Sequence, residues 1–118
     1  MGAQKVDYIS SLDFAVLRFY NEARQQEWDQ GEVISLEYLG NAIAGETGEA
    51  CNVIKKIVRN RAGLKGSGAS IKDLANELAD IIIYADLIAR KENIDLGAAI
   101  REKFNATSDK LKLKTRLP

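Results

Sequence analysis

Apolar residues recur every three or four positions along most of the chain, which is the spacing of one face of an α-helix. Ser35, the Ser70–Asp73 pair and Asp95 have the side chains that commonly cap helix N-termini. The pattern therefore predicts an all-α chain. The predicted helices, with their N-caps where these are evident, cover residues 11–28, 35–61, 70–91 and 95–111.

The distribution of helix-breaking residues indicates one domain over residues 1–118. The only proline is Pro118, so the interior leaves long helices uninterrupted. The third helix is apolar around most of its circumference, as expected of a central helix buried in its own domain and against a second subunit. We expect a four-helix bundle with a long central helix pair that oligomerises through its apolar helices.

The first helix has two distinct faces. One carries Asn21, Arg24 and Trp28 at helical spacing, together with Leu17. Either Trp28 covers the edge of the core and Arg24 is solvated, or this stripe forms a wall that stacks on and hydrogen-bonds to a base. The other face is expected to be buried in the core, and its apolar residues are Leu12, Ala15, Val16, Phe19 and Ala23.

Charge and composition exclude several classes of function. Seventeen basic and seventeen acidic residues cancel, so we expect no nucleic-acid partner and no anionic membrane surface. Histidine is absent, which excludes imidazole bases and metal sites built on imidazole. We expect a cytoplasmic protein, because Cys51 is the only cysteine and neither a signal-peptide pattern nor a run of eighteen apolar residues is present.

Two pairs of carboxylates, each three residues apart, are the most informative polar feature. Glu46 and Glu49 lie on the second helix and Glu77 and Asp80 on the third, so each pair shares one helical face. Four converging acids would repel one another, and a bound cation explains them; salt bridges to lysine or arginine are the alternative. A carboxylate site without histidine suits Mg²⁺, with Mn²⁺ able to substitute.

Amide and basic residues accompany these acids. Asn52 and Lys56 project near the face of the first acid pair on the second helix. Residues 59–68 combine three basic residues with three glycines, which suits either a phosphate-contacting flap or a flexible connection. The basic tail over residues 110–116 is either a solvated end or a further contact for phosphates.

These motifs resemble those of the MazG-like superfamily of all-α nucleoside triphosphate pyrophosphohydrolases. The resemblance rests on a Glu-x-x-Glu motif followed, after 27 intervening residues, by Glu-x-x-Asp. It extends from about Trp28 to the C-terminus. Further blocks similar to the family's motifs occur in the same order at residues 45–56, 76–84, 94–96 and 103–108.

The resemblance implies a homodimer or a dimer of dimers that binds Mg²⁺ through the four carboxylates. It implies cleavage of (deoxy)nucleoside triphosphates to monophosphate and pyrophosphate, in the manner of enzymes that clean the nucleotide pool. It also implies that Tyr84, Lys103 and Asn105 contact the nucleotide. Asn21, Arg24 and Trp28 correspond only loosely to the family's base-binding wall, whose residues vary.

Within this scheme we expect Glu49 to be the general base that deprotonates the attacking water. Lys56, Lys103 and Arg59 are expected to stabilise the phosphates, and Asn52 to contact the substrate. The competing hypothesis is a non-catalytic helical interaction module with an acidic face. A carboxylate-bridged di-iron bundle is excluded, because that site requires histidine.

Overall fold

A computed structural model describes residues 12–118, and this part of the chain contains four α-helices and no β-strand. Ser11, the expected start of the first helix, and the N-terminal stretch assessed for a signal peptide lie outside the described residues. None of the described helices combines the length and apolar character needed to cross a membrane. The helices are α1 (Phe14–Trp28), α2 (Leu36–Arg61), α3 (Ile71–Lys91) and α4 (Leu96–Lys110).

Short polar side chains begin each helix by accepting hydrogen bonds from the free N–H groups of its first turn. Ser35 caps α2, Asp95 caps α4, and Ser70 and Asp73 form the reciprocal capping box expected for α3. Asp13 caps α1, which therefore begins three residues after the predicted start. The all-α prediction is confirmed, and the observed bounds of α2 and α3 agree with those predicted.

The antiparallel pair of α2 and α3 forms the centre of the fold. Lys91, at the end of α3, donates a hydrogen bond to the carbonyl of Ile34, just before α2. α1 packs on α3, and α4 packs on α1. The apolar core is small, and its buried members are Leu39, Ala50, Ile57, Leu87 and Ala89.

The face of α1 that contacts α3 is not the apolar face predicted from the sequence. Phe19 is 68 % exposed, and the other members of the predicted apolar face are exposed as well. Asn21, from the polar stripe, is only 3 % exposed. The predicted burial of the apolar face is therefore wrong within the single chain, where the opposite face of α1, containing Asn21, packs on α3.

Asp86 is the centre of this polar contact. Its side chain is fully buried, and its Oδ1 accepts a hydrogen bond from Nε of Arg18 at 3.0 Å. Its Oδ2 accepts one from Nδ2 of Asn21 at 3.1 Å. Arg18 also donates to the carbonyl of Ile94, and Asn21 to the carbonyl of Ile83. The buried carboxylate is thus both paired and hydrogen-bonded, as a stable buried charge requires.

The central helix pair is less buried than its apolar sequence predicts. Leu78 and Ile82, one turn apart on α3, are 50 % and 46 % exposed. Ile54 and Val58, at the same spacing on α2, are also exposed. The single chain therefore leaves apolar ridges uncovered on both central helices.

The connection between α2 and α3 folds back onto the end of α2. Arg59 donates hydrogen bonds to the carbonyl and hydroxyl oxygens of Ser67. Gly66 has φ +138°, and a Cβ at this position would lie 2.7 Å from the guanidinium of Arg59. The side chain of Arg59 is engaged in this connection, and its predicted contact with substrate phosphates remains a prediction.

Candidate active site

Three of the four predicted acids converge between α2 and α3. Glu46, Glu77 and Asp80 each offer a carboxylate oxygen, and these three oxygens lie within 4.8 Å of one another. The antiparallel pairing of the two helices sets Glu46 opposite the Glu77–Asp80 pair, whose spacing puts both acids on one face. The sequence motif thus becomes a spatial cluster.

The electrostatics of this cluster are those of acids that lack a counter-charge. Oε2 of Glu46 and Oε2 of Glu77 are buried and receive no hydrogen bond from a donor among the described residues. Burial, then the negative charge of Glu49, raises the pKa of Glu46 from 4.5 to about 7, and Glu77 and Asp80 add to the effect. Burial and hydrogen bonding with Glu49 also raise the pKa of Glu77.

These observations test whether the cluster suits a divalent cation. One carboxylate oxygen from each of the three acids lies close to the others. Glu46 and Glu77 also each have a buried oxygen without a hydrogen-bond donor, and no lysine or arginine forms an ion pair with the three acids in the described part of the chain. A hard cation prefers such an all-oxygen donor set. The residues therefore fit Mg²⁺ or Mn²⁺, and the salt-bridge alternative is not observed.

Glu49 lies at the rim of the cluster. Its side chain is exposed and close enough to Glu77 to affect the pKa of that residue by hydrogen bonding. It is not one of the three residues whose oxygens lie within 4.8 Å of one another. Its predicted roles as ligand and general base remain predictions.

A cavity of about 250 Å³ opens beside Asp80. The indole of Trp28 forms part of its wall, and the ring of Tyr38 lies 6.4 Å from that indole between centroids. Apolar side chains make much of the remaining surface, as is typical of sites that hold an organic ring. The lining residues are Arg24, Gln25, Trp28, Leu39, Asp80, Ile83, Tyr84 and Leu87.

Tyr84 connects the cavity to the acid cluster, one turn after Asp80 on α3. Burial raises the pKa of Tyr84, and nearby Tyr38, Glu46 and Asp80 act in the same direction. The positive charge of Arg24 acts in the opposite direction. These influences show that the phenol is close to both the carboxylates and the aromatic wall.

Two predicted substrate contacts have other partners in the structure. The amide of Asn21 is buried and donates to Ile83 and Asp86, so Asn21 does not belong to the open wall. The amide of Asn105 pairs with both backbone groups of Leu117 and holds the C-terminal tail against α4. Both amides are used within the fold, and the substrate contacts predicted for these residues remain predictions.

The remaining predicted contacts are spread along α2 and α4. Lys56 lies near Asp73, at the end of the acid face away from the cavity, and its charge lowers the pKa of Asp73 after the larger effect of Ser70. Asn52 is exposed on α2 and Lys103 is exposed on α4. Neither Asn52 nor Lys103 lines the cavity beside Asp80, so their roles remain predictions.

Comparison with known proteins agrees with the helices and the acid cluster. The MazG nucleotide pyrophosphohydrolase domain matches residues 34–118, well over half of the chain. The chain belongs to the MazG family. It is also similar to "Gene 37 protein" of Mycobacterium phage L5, with 29 % identity over 77 residues, which are 65 % of this chain and 67 % of the phage protein. No solved structure matches the chain.

The MazG match contains the whole carboxylate cluster but not α1. Arg24, Gln25 and Trp28, which close one side of the cavity, all precede residue 34. Sequence reasoning missed Gln25 and Tyr38. Gln25 could have been predicted, because it lies at helical spacing between Asn21 and Trp28. For Tyr38 the only indication is that it precedes Glu46 by two turns on the same helix.

Proposed function

We propose that this MazG protein hydrolyses (deoxy)nucleoside triphosphates to a nucleoside monophosphate and pyrophosphate with the help of Mg²⁺. The observation that carries the proposal is the meeting of Glu46, Glu77 and Asp80 at the mouth of an aromatic-walled cavity. An oxygen cluster short of positive charge suits a metal–phosphate group, and the adjoining cavity suits a base. Membership of a nucleotide pyrophosphohydrolase family supports the same reaction.

Glu46, Glu77 and Asp80 would hold the cation, with Glu49 as the fourth carboxylate. When bound, Mg²⁺, or Mn²⁺ in its place, supplies charge neutralisation for the triphosphate and helps to activate a water. Proton release from Glu46 accompanies loading of the site, since the pKa of this residue is raised to about 7. The burial of two carboxylate oxygens keeps solvent away from the ligating atoms.

The order of residues along α3 indicates how the nucleotide is oriented in the site. Leu87 and Ile83 border the cavity, Tyr84 and Asp80 follow towards the cluster, and Asp73 with Lys56 lies beyond Glu77. Leu87 and Asp80 are two helical turns apart, about 10.5 Å along the axis. We place the base in the cavity, the α-phosphate at the carboxylates and the pyrophosphate towards Lys56, where its charge is neutralised.

The reaction forms one bond and breaks one bond at the α-phosphorus. The oxygen of water adds to phosphorus, the anhydride bond to the β-phosphate breaks, and pyrophosphate leaves with the bonding electrons. Glu49, exposed at the rim beside Glu77, accepts the proton of the water. Trp28, whose indole lies beside the ring of Tyr38, supplies stacking surface for the base. Lys103 and Asn52 remain candidate phosphate and substrate contacts.

We also propose that the active form is a homodimer or a dimer of dimers in the cytoplasm, where it clears unwanted nucleotides. The exposed ridges of Ile54 and Val58 on α2 and of Leu78 and Ile82 on α3 support association. Nothing in the balanced charge calls for nucleic acid as a partner.

Pyrophosphate release from a panel of ribo- and deoxynucleoside triphosphates, with Mg²⁺ and with Mn²⁺, tests the activity. We expect Asp80→Asn and Glu49→Gln to lose at least about a hundredfold in rate, because each removes a charged group used in the reaction. Glu92→Gln, an acid at the C-cap of α3, is the matched control and should retain full rate. Helical content should be unchanged in all three variants. Retained Mg²⁺-dependent turnover in Asp80→Asn would exclude the proposed site.

The exposed apolar ridges also favour a second candidate, the helical interaction module. A module of this kind has no reason to bind Mg²⁺, whereas a protein with an acidic site that binds it is stabilised by RT ln(1 + [L]/Kd), which grows with the logarithm of the Mg²⁺ concentration above Kd. Thermal unfolding with and without Mg²⁺ separates the two, and absence of both a shift and pyrophosphate release would favour the module.

A further inference from the structure

Gln25 has no role in the proposed hydrolysis but lies in the proposed base-binding cavity. It is partly buried on α1 and lines the cavity beside Asp80, three residues before Trp28. Its side-chain amide forms no hydrogen bond with another described residue, although its backbone carbonyl receives the N–H of Asp29 at the helix end. The cavity is therefore lined by a residue with a free donor and a free acceptor.

The neighbouring cavity shows where Gln25 lies along the base site. A second cavity of about 290 Å³ shares Gln25, Leu39 and Leu87 with the first. These three residues line both cavities and form the partition between them. Leu87 is two turns beyond Asp80 on α3, so the partition lies at the end of the base site away from the carboxylates.

The other polar groups of the cavity are accounted for. Asp80 belongs to the carboxylate cluster, and Tyr84 lies beside it. The amide nitrogen of Asn21, one turn before Gln25 on α1, already donates to Ile83 and Asp86. Arg24 is exposed at the entrance and close to Tyr84. Gln25 is thus the neutral hydrogen-bonding residue at the end of the base site away from the carboxylates.

We propose that Gln25 reads the polar edge of the nucleobase and is a specificity-determining residue of the cavity. This inference rests on the proposed function, since it requires the base to enter this cavity. An amide offers one donor and one acceptor side by side and matches bases that present the complementary pair.

Replacing the amide of Gln25 by a carboxylate removes its hydrogen-bond donor and leaves two acceptors, while the shape of the side chain hardly changes. A carboxylate accepts both adjacent N–H groups of guanine, whereas in thymine it meets a single N–H flanked by two carbonyl oxygens. We expect Gln25→Glu to raise the preference for dGTP over dTTP by at least about tenfold, the discrimination typical of a bidentate contact. Gln25→Met removes both hydrogen-bonding groups and should reduce the differences among the four bases.

The next residue provides the control. Gln26 is exposed and lines the second cavity but not the first. Gln26→Glu introduces the same charge one position away, so general repulsion of the triphosphate affects both variants. The dGTP-to-dTTP ratio should stay within about twofold of the unmodified protein in Gln26→Glu, since selectivity comes from contact and not from net charge.

The experiment measures kcat/KM for the four deoxynucleoside triphosphates, and Kd for their non-hydrolysable α,β-imido analogues with Mg²⁺. An unchanged base ratio in Gln25→Glu, with turnover retained, overturns the role of Gln25 and leaves the hydrolase proposal intact. If the relative Kd values of the four analogues change in the Gln25 variants but no protein releases pyrophosphate, the selectivity role of Gln25 is supported and the hydrolase proposal is overturned. Absence of both analogue binding and pyrophosphate release in the unmodified protein overturns both.

Discussion

At the scale of single residues, a proton and a cation compete for the same oxygen atoms of Glu46. Burial and three neighbouring carboxylates raise the pKa of this residue to about 7, so it binds a proton near neutrality when no cation is present. Glu77, whose pKa is raised for similar reasons, shares this behaviour. The stability of the protein and its affinity for metal should therefore depend on pH in opposite directions.

The sign follows from the two pKa values of Glu46. The pKa in the folded protein, about 7, lies above the ordinary glutamate value of 4.5. The stabilising contribution is therefore complete below about pH 4.5 and is lost as pH rises through about 7. We expect this group to lower the Tm of the metal-free protein between about pH 5 and about pH 8. Glu46→Gln should flatten this part of the profile.

Stabilisation by Mg²⁺ should grow over the same interval, because protons no longer compete for the carboxylates. Thermal unfolding in EDTA and in Mg²⁺ at about pH 6 and about pH 8 measures the effect. A Mg²⁺-induced increase in Tm that is equal at both pH values, or larger at the lower one, would contradict the assignment of Glu46 as a ligand.

Sequence spacing predicted the carboxylate cluster but not the full cavity. Helical periodicity is enough to place Glu77 beside Asp80, and motif resemblance linked that pair to Glu46. Asn21 and Gln25 are one turn apart on the same helix, and nothing in the sequence shows which amide is used inside the fold. That choice depends on Asp86, which is distant in sequence from both.

At the scale of elements, the contact between α1 and α3 depends on Asp86. We expect Asp86→Ala to reduce the free energy of unfolding by about 3 kcal/mol, at the lower end of values for broken buried ion pairs because Arg18 keeps some access to solvent. Denaturant unfolding measures the change. Since α1 carries the wall of the cavity, nucleotide affinity should fall as well.

The exposed ion pair between Asp109 and Arg116 is the matched control. Asp109→Ala removes a carboxylate of the same size from a solvated pair and should cost less than about 1 kcal/mol. Equal losses in the Asp86 and Asp109 variants would show that the buried network does not position α1.

The same contact explains why sequence periodicity predicted α2 and α3 better than the orientation of α1. N-cap side chains act locally, so Ser35 and Ser70 indicate helix starts without tertiary information. The apolar stripe containing Phe19 suggested the buried face of α1, yet that face is exposed and Asn21 is buried. Hydrophobic periodicity cannot distinguish a face that meets its own core from one available to another surface.

At the scale of the whole molecule, the single chain is more open than its length suggests. Its radius of gyration is 17.6 Å, whereas a compact domain of this length has about 13.5 Å. Only five apolar side chains of the described residues are buried, and many larger ones are exposed. Association between copies would cover such surfaces and add the stability that a small core lacks.

Analytical ultracentrifugation tests this proposal. We expect a dimer or tetramer for the unmodified protein, and a shift towards monomer with a lower Tm for Ile82→Lys, which puts a charge on the exposed ridge of α3. Leu64→Glu, at an exposed apolar residue in the α2–α3 connection, should leave the mass unchanged. A monomeric unmodified protein, or an oligomer that tolerates Ile82→Lys, would contradict association through α3.

The most direct test of the central claim is to identify the products by ³¹P NMR after incubating a nucleoside triphosphate with the protein and Mg²⁺ in ¹⁸O-enriched water. We expect nucleoside monophosphate and pyrophosphate, with the ¹⁸O label on the monophosphate, because water attacks the α-phosphorus beside the carboxylates. Diphosphate and inorganic phosphate as products, or label in the pyrophosphate, would contradict it.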